Sequence, residues 1–233
     1  MQARDVLERA VEQDPANANV WALLCHLYCD EFWFGHNRLP DPLDRALDAG
    51  QRAVELDPNS DRTRSALAKV LIVRGEIGAF RAEAERVLAL NPNSASRLVL
   101  IGQFLSMAGD WDRGIELVKK GIGLSAFTLG YCHLPLFLNH YRKGEDEQAL
   151  GEVERFDMPR LWVTHAFSAA VYGELGRKDE ARMAVGRLLD LNGRFPEEAR
   201  EALRRFVRSH DVTDRLIDGL RKAGLDIPDA PSA

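Results

Sequence analysis

The chain has 233 residues, 45% hydrophobic and 29% charged, a composition that excludes a disordered chain, a collagen or a coiled-coil rod. A net charge of −5 argues against general affinity for nucleic acid, which comes mostly from neutralising phosphates. Residues 1–60 carry 5 basic and 11 acidic residues, so the negative charge sits at the N-terminal end. No apolar run approaches the about 18 residues that span a bilayer, and with Arg4, Asp5, Glu8 and Arg9 in the first ten residues no secretory leader is expected there. Three cysteines cannot build a disulfide framework, so a reducing, cytoplasmic setting is expected.

Residues 3–14 read as one amphipathic helix through Ala3, Leu7 and Ala10, ending before Pro15. The phrase Glu12-Gln13-Asp14-Pro15 returns as Glu55-Leu56-Asp57-Pro58 and Ala89-Leu90-Asn91-Pro92. The last two prolines lie 34 residues apart, and the segment between them has two amphipathic halves with apolar residues at i, i+3, i+4 and i+7. Asp-Pro and Asn-Pro close the second half, because the proline ring disfavours helical geometry in the residue before it. Arg74-Gly75-Glu76, Ala108-Gly109-Asp110, Lys143-Gly144-Glu145 and Leu175-Gly176-Arg177 read as short turns joining two helices, with glycine at a left-handed helix end. No segment shows strand-period alternation bounded by hairpin signals, so the chain is expected to be all-α.

These residues resemble the tetratricopeptide repeat, a 34-residue helix–turn–helix unit with small residues at positions 8, 20 and 27. The match runs through Trp21, Leu24, Cys25, Tyr28, Ala46, Ala53 and Pro58, then Leu67, Ala68, Leu71, Gly75 and Pro92, where Phe80 and Val87 replace small residues. It continues through Leu98, Ile101, Gly102, Leu105, Gly109, Gly114 and Gly121, then weakly through Leu136, Gly144, Ala149 and Phe156, with Pro135 inside a first helix. A fifth unit carries Ser168, Ala169, Tyr172, Gly176, Ala181 and Leu188. The resemblance implies a right-handed helical solenoid over 1–193: a half repeat, about five repeats and an insertion at about 31–42. A two-helix cap over 194–225 follows, with Pro196 in its first turn and Asp211 or Thr213 capping the second helix, then an expected flexible tail over 226–233. The missing first helix of the half repeat suggests a chain cut from a longer protein or a misassigned start.

Cys25-His26-Leu27-Tyr28-Cys29 places two thiols one helical turn apart, yet zinc needs four ligands and Cys132-His133 is a lone pair far along the chain. Cys25 falls on a small packing position, and no metal or cofactor is expected. The insertion holds Phe32, Trp33 and Phe34, read either as a partner-binding knob or as a lengthened first helix packing on the preceding half repeat. The resemblance implies a concave groove lined by first-helix positions 2, 5, 9, 12 and 13. These include His26, Arg62, Lys69, Gln103, Met107, Tyr131, Tyr141 and Arg142. Arg62, Lys69 and Arg142 could grip an acidic peptide, or serve as ordinary surface charges. The Lys/Asn carboxylate clamp of the chaperone-binding members is absent, its positions holding Ala22 and His26, Ser65 and Lys69, and Val99 and Gln103.

No phosphate loop, zinc-protease motif or nucleophile elbow occurs, so no catalysis is expected. Three phrases resemble the repeat-containing C-terminal region of bacterial adenylate/guanylate cyclase-like proteins and winged-helix regulators: residues 40–46, 53–59 and 216–225. The expected function is a protein-interaction scaffold taking a peptide, a partner domain or a second copy of itself, without direct contact to nucleic acid or membrane. The alternative is a regulatory module of a nucleotide cyclase or transcription regulator whose effector domain lies upstream.

Overall fold

The computed structural model describes residues 3–35, 40–125 and 130–228. Among them are thirteen α-helices and one short 3-10 turn, with no strand. The chain divides into two compact units, Met1–Ser125 and Ala126–Ala233.

The first unit holds α1 (Ala3–Gln13), α2 (Ala18–Phe34), α3 (Pro42–Leu56), α4 (Asp61–Arg74), α5 (Ile77–Leu90), α6 (Ala95–Met107) and α7 (Trp111–Gly123). Local chemistry sets their limits. The Asn17 side chain accepts from the Val20 amide at 3.3 Å and caps α2. Ser60 accepts from the Arg62 amide at 3.2 Å to open α4. Before Pro58 and Pro92, Asp57 and Asn91 adopt φ of −141° and −147°, outside the helical range. At the other turns Gly75 and Gly109 take φ of 86° and 90°, the left-handed geometry expected for them.

Paired helices run antiparallel at close range. A Cβ on Gly102 would stand 2.5 Å from the Gly114 carbonyl oxygen, and one on Gly121 2.7 Å from that of Ala95. The small residues at these positions therefore let α6 and α7 touch backbone to backbone. Phe80 and Val87, which break the small-residue pattern, are fully buried, and the Phe80 ring meets Phe104 of α6 edge-on at 6.2 Å. Cys25 is packed as its position implies: its Sγ donates to the Ala66 carbonyl at 3.3 Å, and Gly50 leaves room for it.

The second unit opens with a 3-10 turn (Gly130–His133) and continues with α8 (Leu134–Lys143), α9 (Asp146–Phe156), α10 (Trp162–Glu174) and α11 (Lys178–Leu191). Then come α12 (Phe195–Arg204) and α13 (His210–Lys222). Pro135 lies in the first turn of α8, where its missing N–H costs nothing, so the weak unit tightens to 3-10 before it. Gly144 and Gly176 take φ of 76° and 68° at the intra-pair turns, and Gly224 takes 93° after α13. Pro196 sits in the first turn of α12 as expected. The cap of α13 is Ser209, not Asp211 or Thr213. Thr213 instead turns back into the core, donating to the carbonyls of Ser209 (3.0 Å) and Val207 (3.3 Å). Trp162 meets the tilted ring of Phe195 at 5.2 Å and, edge-on, that of Phe206 just past α12 at 5.7 Å, fastening α12 and the residues after it to α10.

Candidate functional site

The expected groove is the face that first helices turn away from their second helices. In the first unit α2 divides its contacts by helical phase. Tyr28 and Glu31 point to α1, where the Tyr28 hydroxyl donates to Glu8 at 2.8 Å and Arg4 bonds Glu31 at 3.1 Å. His26, Asp30 and Trp33 recur at i, i+4 and i+7 on the opposite side, toward α4. There the Lys69 ammonium pairs with Asp30 at 2.6 Å, touches the His26 carbonyl at 3.4 Å and lies 5.2 Å from the Trp33 ring centroid. Lys69 is 5% exposed, so its charge is already committed. Burial, with Lys69 and then Arg97 nearby, pushes the His26 imidazole down to about 3 and keeps it neutral.

Arg62 stands apart from this cluster. It is exposed, two helical turns before Lys69, about 10 Å along the axis. Gln103 is half-buried on α6. The structure thus joins His26 and Lys69 and leaves Arg62 as the open cation of the predicted set in this unit.

The aromatic segment forms the lengthened end of α2, and it packs forward onto α4 and α6 rather than back on α1. Trp33 is 8% exposed, its ring 6.1 Å from Phe104, in a cluster with Ile72, Val73, Phe80 and Met107. Phe32 and Phe34 are half-buried against the same cluster. The phase of α2 explains the direction, since Trp33 continues the His26 stripe. Residues 36–39 of the insertion lie outside the described residues.

In the second unit the same face is covered. Tyr141 is fully buried, and its hydroxyl donates to the Arg215 carbonyl of α13 at 3.0 Å. The Arg215 guanidinium lies 4.2 Å from the Tyr141 ring centroid, donates to the Tyr141 carbonyl and holds both Asp146 oxygens at 2.8 and 2.9 Å. Burial raises the Tyr141 hydroxyl far above its ordinary range. Along α10 the contact is between backbones: a Cβ on Gly173 would stand 2.0 Å from the Gly219 carbonyl oxygen, and one on Gly219 2.7 Å from that of Ala170. Lys222 pairs with Glu174 at 2.5 Å beyond them. Leu216, Ile217 and Leu220 of α13 are at most 1% exposed. Of the other predicted residues, Arg142 is half-buried and bonds Asn139 at 3.0 and 3.2 Å, and Tyr131 is half-buried in the 3-10 turn.

Sequence reasoning missed this docking of α13 on α8 and α10. A signal was present: Ala166, Ala169, Ala170 and Gly173 form a stripe of small residues that permits close helix approach. Among the described residues no group of three or more His, Cys, Asp or Glu is placed to hold a metal ion, and no helix is long and apolar enough to cross a membrane.

No protein-family model matches the chain, and no curated protein sequence does. Among solved structures it is similar to an IFIT1 monomeric mutant with Gppp-AAAA, at TM-score 0.68 and 17% identity over 94% of this chain and 54% of that one. It is also similar to a chain of the APC/C hetero-tetramer Cut9–Hcn1, at TM-score 0.67 and 14% identity over 94% of this chain and 46% of that one. The chain spans about half the length of these two. A third likeness is to TTC0263, a thermophilic TPR protein of Thermus thermophilus, at TM-score 0.58 and 16% identity over 84% of this chain and 96% of that one. At these identities what is shared is the fold, and that fold is the all-helical tetratricopeptide-repeat type.

Proposed function

From the tetratricopeptide-type fold as premise, we propose that the chain is a non-catalytic protein–protein interaction scaffold, holding a peptide or partner domain on a first-helix face or at its ends. The observation that carries this reading is α13 itself, a helix seated on the first-helix positions of α8 and α10. A surface of this kind therefore accepts a helical segment through small-residue contacts and a half-buried cation. In the first unit Arg62 is the cation best placed to meet an acidic partner, because Lys69 is neutralised by Asp30. A cytoplasmic setting goes with this reading.

The test is affinity capture from the native host with wild type and Arg62→Glu side by side. A species retained by the wild type and lost from the variant, at unchanged thermal midpoint, supports the scaffold. Concentration-independent monomeric scattering with no Arg62-dependent species refutes it. The second reading, a regulatory module of a bacterial nucleotide cyclase or winged-helix regulator, rests on the phrases at 40–46, 53–59 and 216–225. An in-frame effector domain encoded before Met1 supports it, and an in-frame stop without one removes it.

A further inference from the structure

We propose that the first-helix face of the second unit is a binding site for one kind of ligand, a short amphipathic helix with the spacing Arg-x-x-x-Gly, and that α13 holds this site closed as a built-in stand-in for that ligand. The proposal rests on the reading that first-helix faces are the binding surfaces, and it names what the second one recognises.

The recognition elements are explicit in the contacts. Gly219 is required by distance: a side chain there would meet the Tyr141 hydroxyl at 2.5 Å and the Ala170 carbonyl at 2.7 Å. The facing Gly173 is required from the other side, since its own Cβ would stand 2.0 Å from the Gly219 carbonyl. Four residues before Gly219, one turn away, Arg215 covers the Tyr141 ring and grips both oxygens of Asp146. Between and beside them Leu216, Ile217 and Leu220 supply the apolar body. A helix with a larger residue at the glycine cannot approach, and one without the cation leaves the half-buried Asp146 carboxylate unpaired.

The connection of α13 suits a stand-in. It follows α12 through residues 205–209, of which Phe206 stays with α12 against Trp162, leaving residues 207–209 between that anchor and α13. Departure of α13 uncovers Tyr141 of α8 and Ala170 of α10, both fully buried now and both met by α13. The open state is therefore costly unless another helix of the same pattern takes the place. A ligand of this chemistry exchanges with α13 and leaves α13 free, so binding is reported at the C-terminal end of the chain.

The experiment uses the full chain carrying Arg215→Glu, which sets a like charge against Asp146, and a fluorescent peptide of residues 208–227 with the native Arg215. Expected are native helical content, loss of amide-exchange protection confined to α13, and at least tenfold tighter peptide binding than to the wild type. A Gly219→Leu peptide should not bind. Lys222→Glu, which sets a like charge against Glu174 at the far end of α13, serves with the same readouts should Arg215→Glu not fold. Equal peptide affinity for variant and wild type overturns the proposal. Unchanged protection of α13, or equal binding of the Gly219→Leu peptide, does so as well. The scaffold reading is judged separately, by the Arg62-dependent capture in the first unit.

Discussion

Gly102→Ala and Gly186→Ala make the same chemical change in two helices, and the structure assigns them opposite signs. At Gly102 the new methyl carbon would stand 2.5 Å from the Gly114 carbonyl oxygen and 2.8 Å from Val118 Cγ2. The nearest atom is backbone and cannot rotate away. Restoring a 3.0 Å contact needs α6 and α7 to part by about 0.5 Å, and overpacking of this kind costs about 1–3 kcal/mol. Alanine returns about 1 kcal/mol of helix propensity. The net loss is about 0–2 kcal/mol. Nothing lies within 4 Å of a Cβ at Gly186, an exposed position inside α11, so there only the propensity gain of about 0.5–1 kcal/mol remains. Urea melts followed by circular dichroism measure both, and amide exchange shows which unit responds. A stabilised Gly102→Ala would refute the backbone-contact argument, as would a destabilised Gly186→Ala.

Three further outcomes are expected. His26, held neutral down to about 3 in the fold by burial, Lys69 and Arg97, gains a proton on unfolding below its ordinary 6.5. Folding stability should therefore fall as pH drops below 6.5, by at most about 1.4 kcal/mol per unit. Melts of wild type and His26→Gln between pH 5 and 7 should show a steeper slope in the wild type, with the Lys69–Asp30 pair present in both. Glu83 is buried between Arg64, at 2.9 Å, and the exposed Arg86. Arg64→Ala should cost about 2 kcal/mol by leaving that carboxylate with one exposed partner, and Arg86→Ala less than about 1 kcal/mol, both read from denaturant midpoints. Trp33→Ala should cost about 3 kcal/mol through the cavity left against Phe104, measured the same way.

The turns were the most legible part of the sequence. Gly75, Gly109, Gly144 and Gly176 announce helix ends because a left-handed backbone has few other occupants, and each has that geometry. Gly102, Gly114 and Gly121 likewise announce the close pairing of α6 with α7. Pro135 misled in kind: a ring that spoils a helix interior is at home in a first turn. The candidate site was legible as a face and not as a set of partners. Spacing puts Lys69 on the first-helix face, but only the phase of α2 puts Asp30 and Trp33 against it. Tyr141 was expected to line an open groove, whereas a helix 74 residues further along lies over it. Periodicity within one segment carries no information about such a long-range docking, and only the small-residue stripe on α10 hints at it.

Trp33 has a consequence for how the first unit comes apart. In a stacked array each pair of helices is stabilised by its immediate neighbours, so melting begins at an end and advances step by step. A side chain on α2 that meets Phe104 on α6 bridges across α4 and adds a second-neighbour coupling. Loss of either outer helix then weakens the other directly. The block from α2 to α6 is therefore expected to unfold as one cooperative body, with partly frayed states held to small populations.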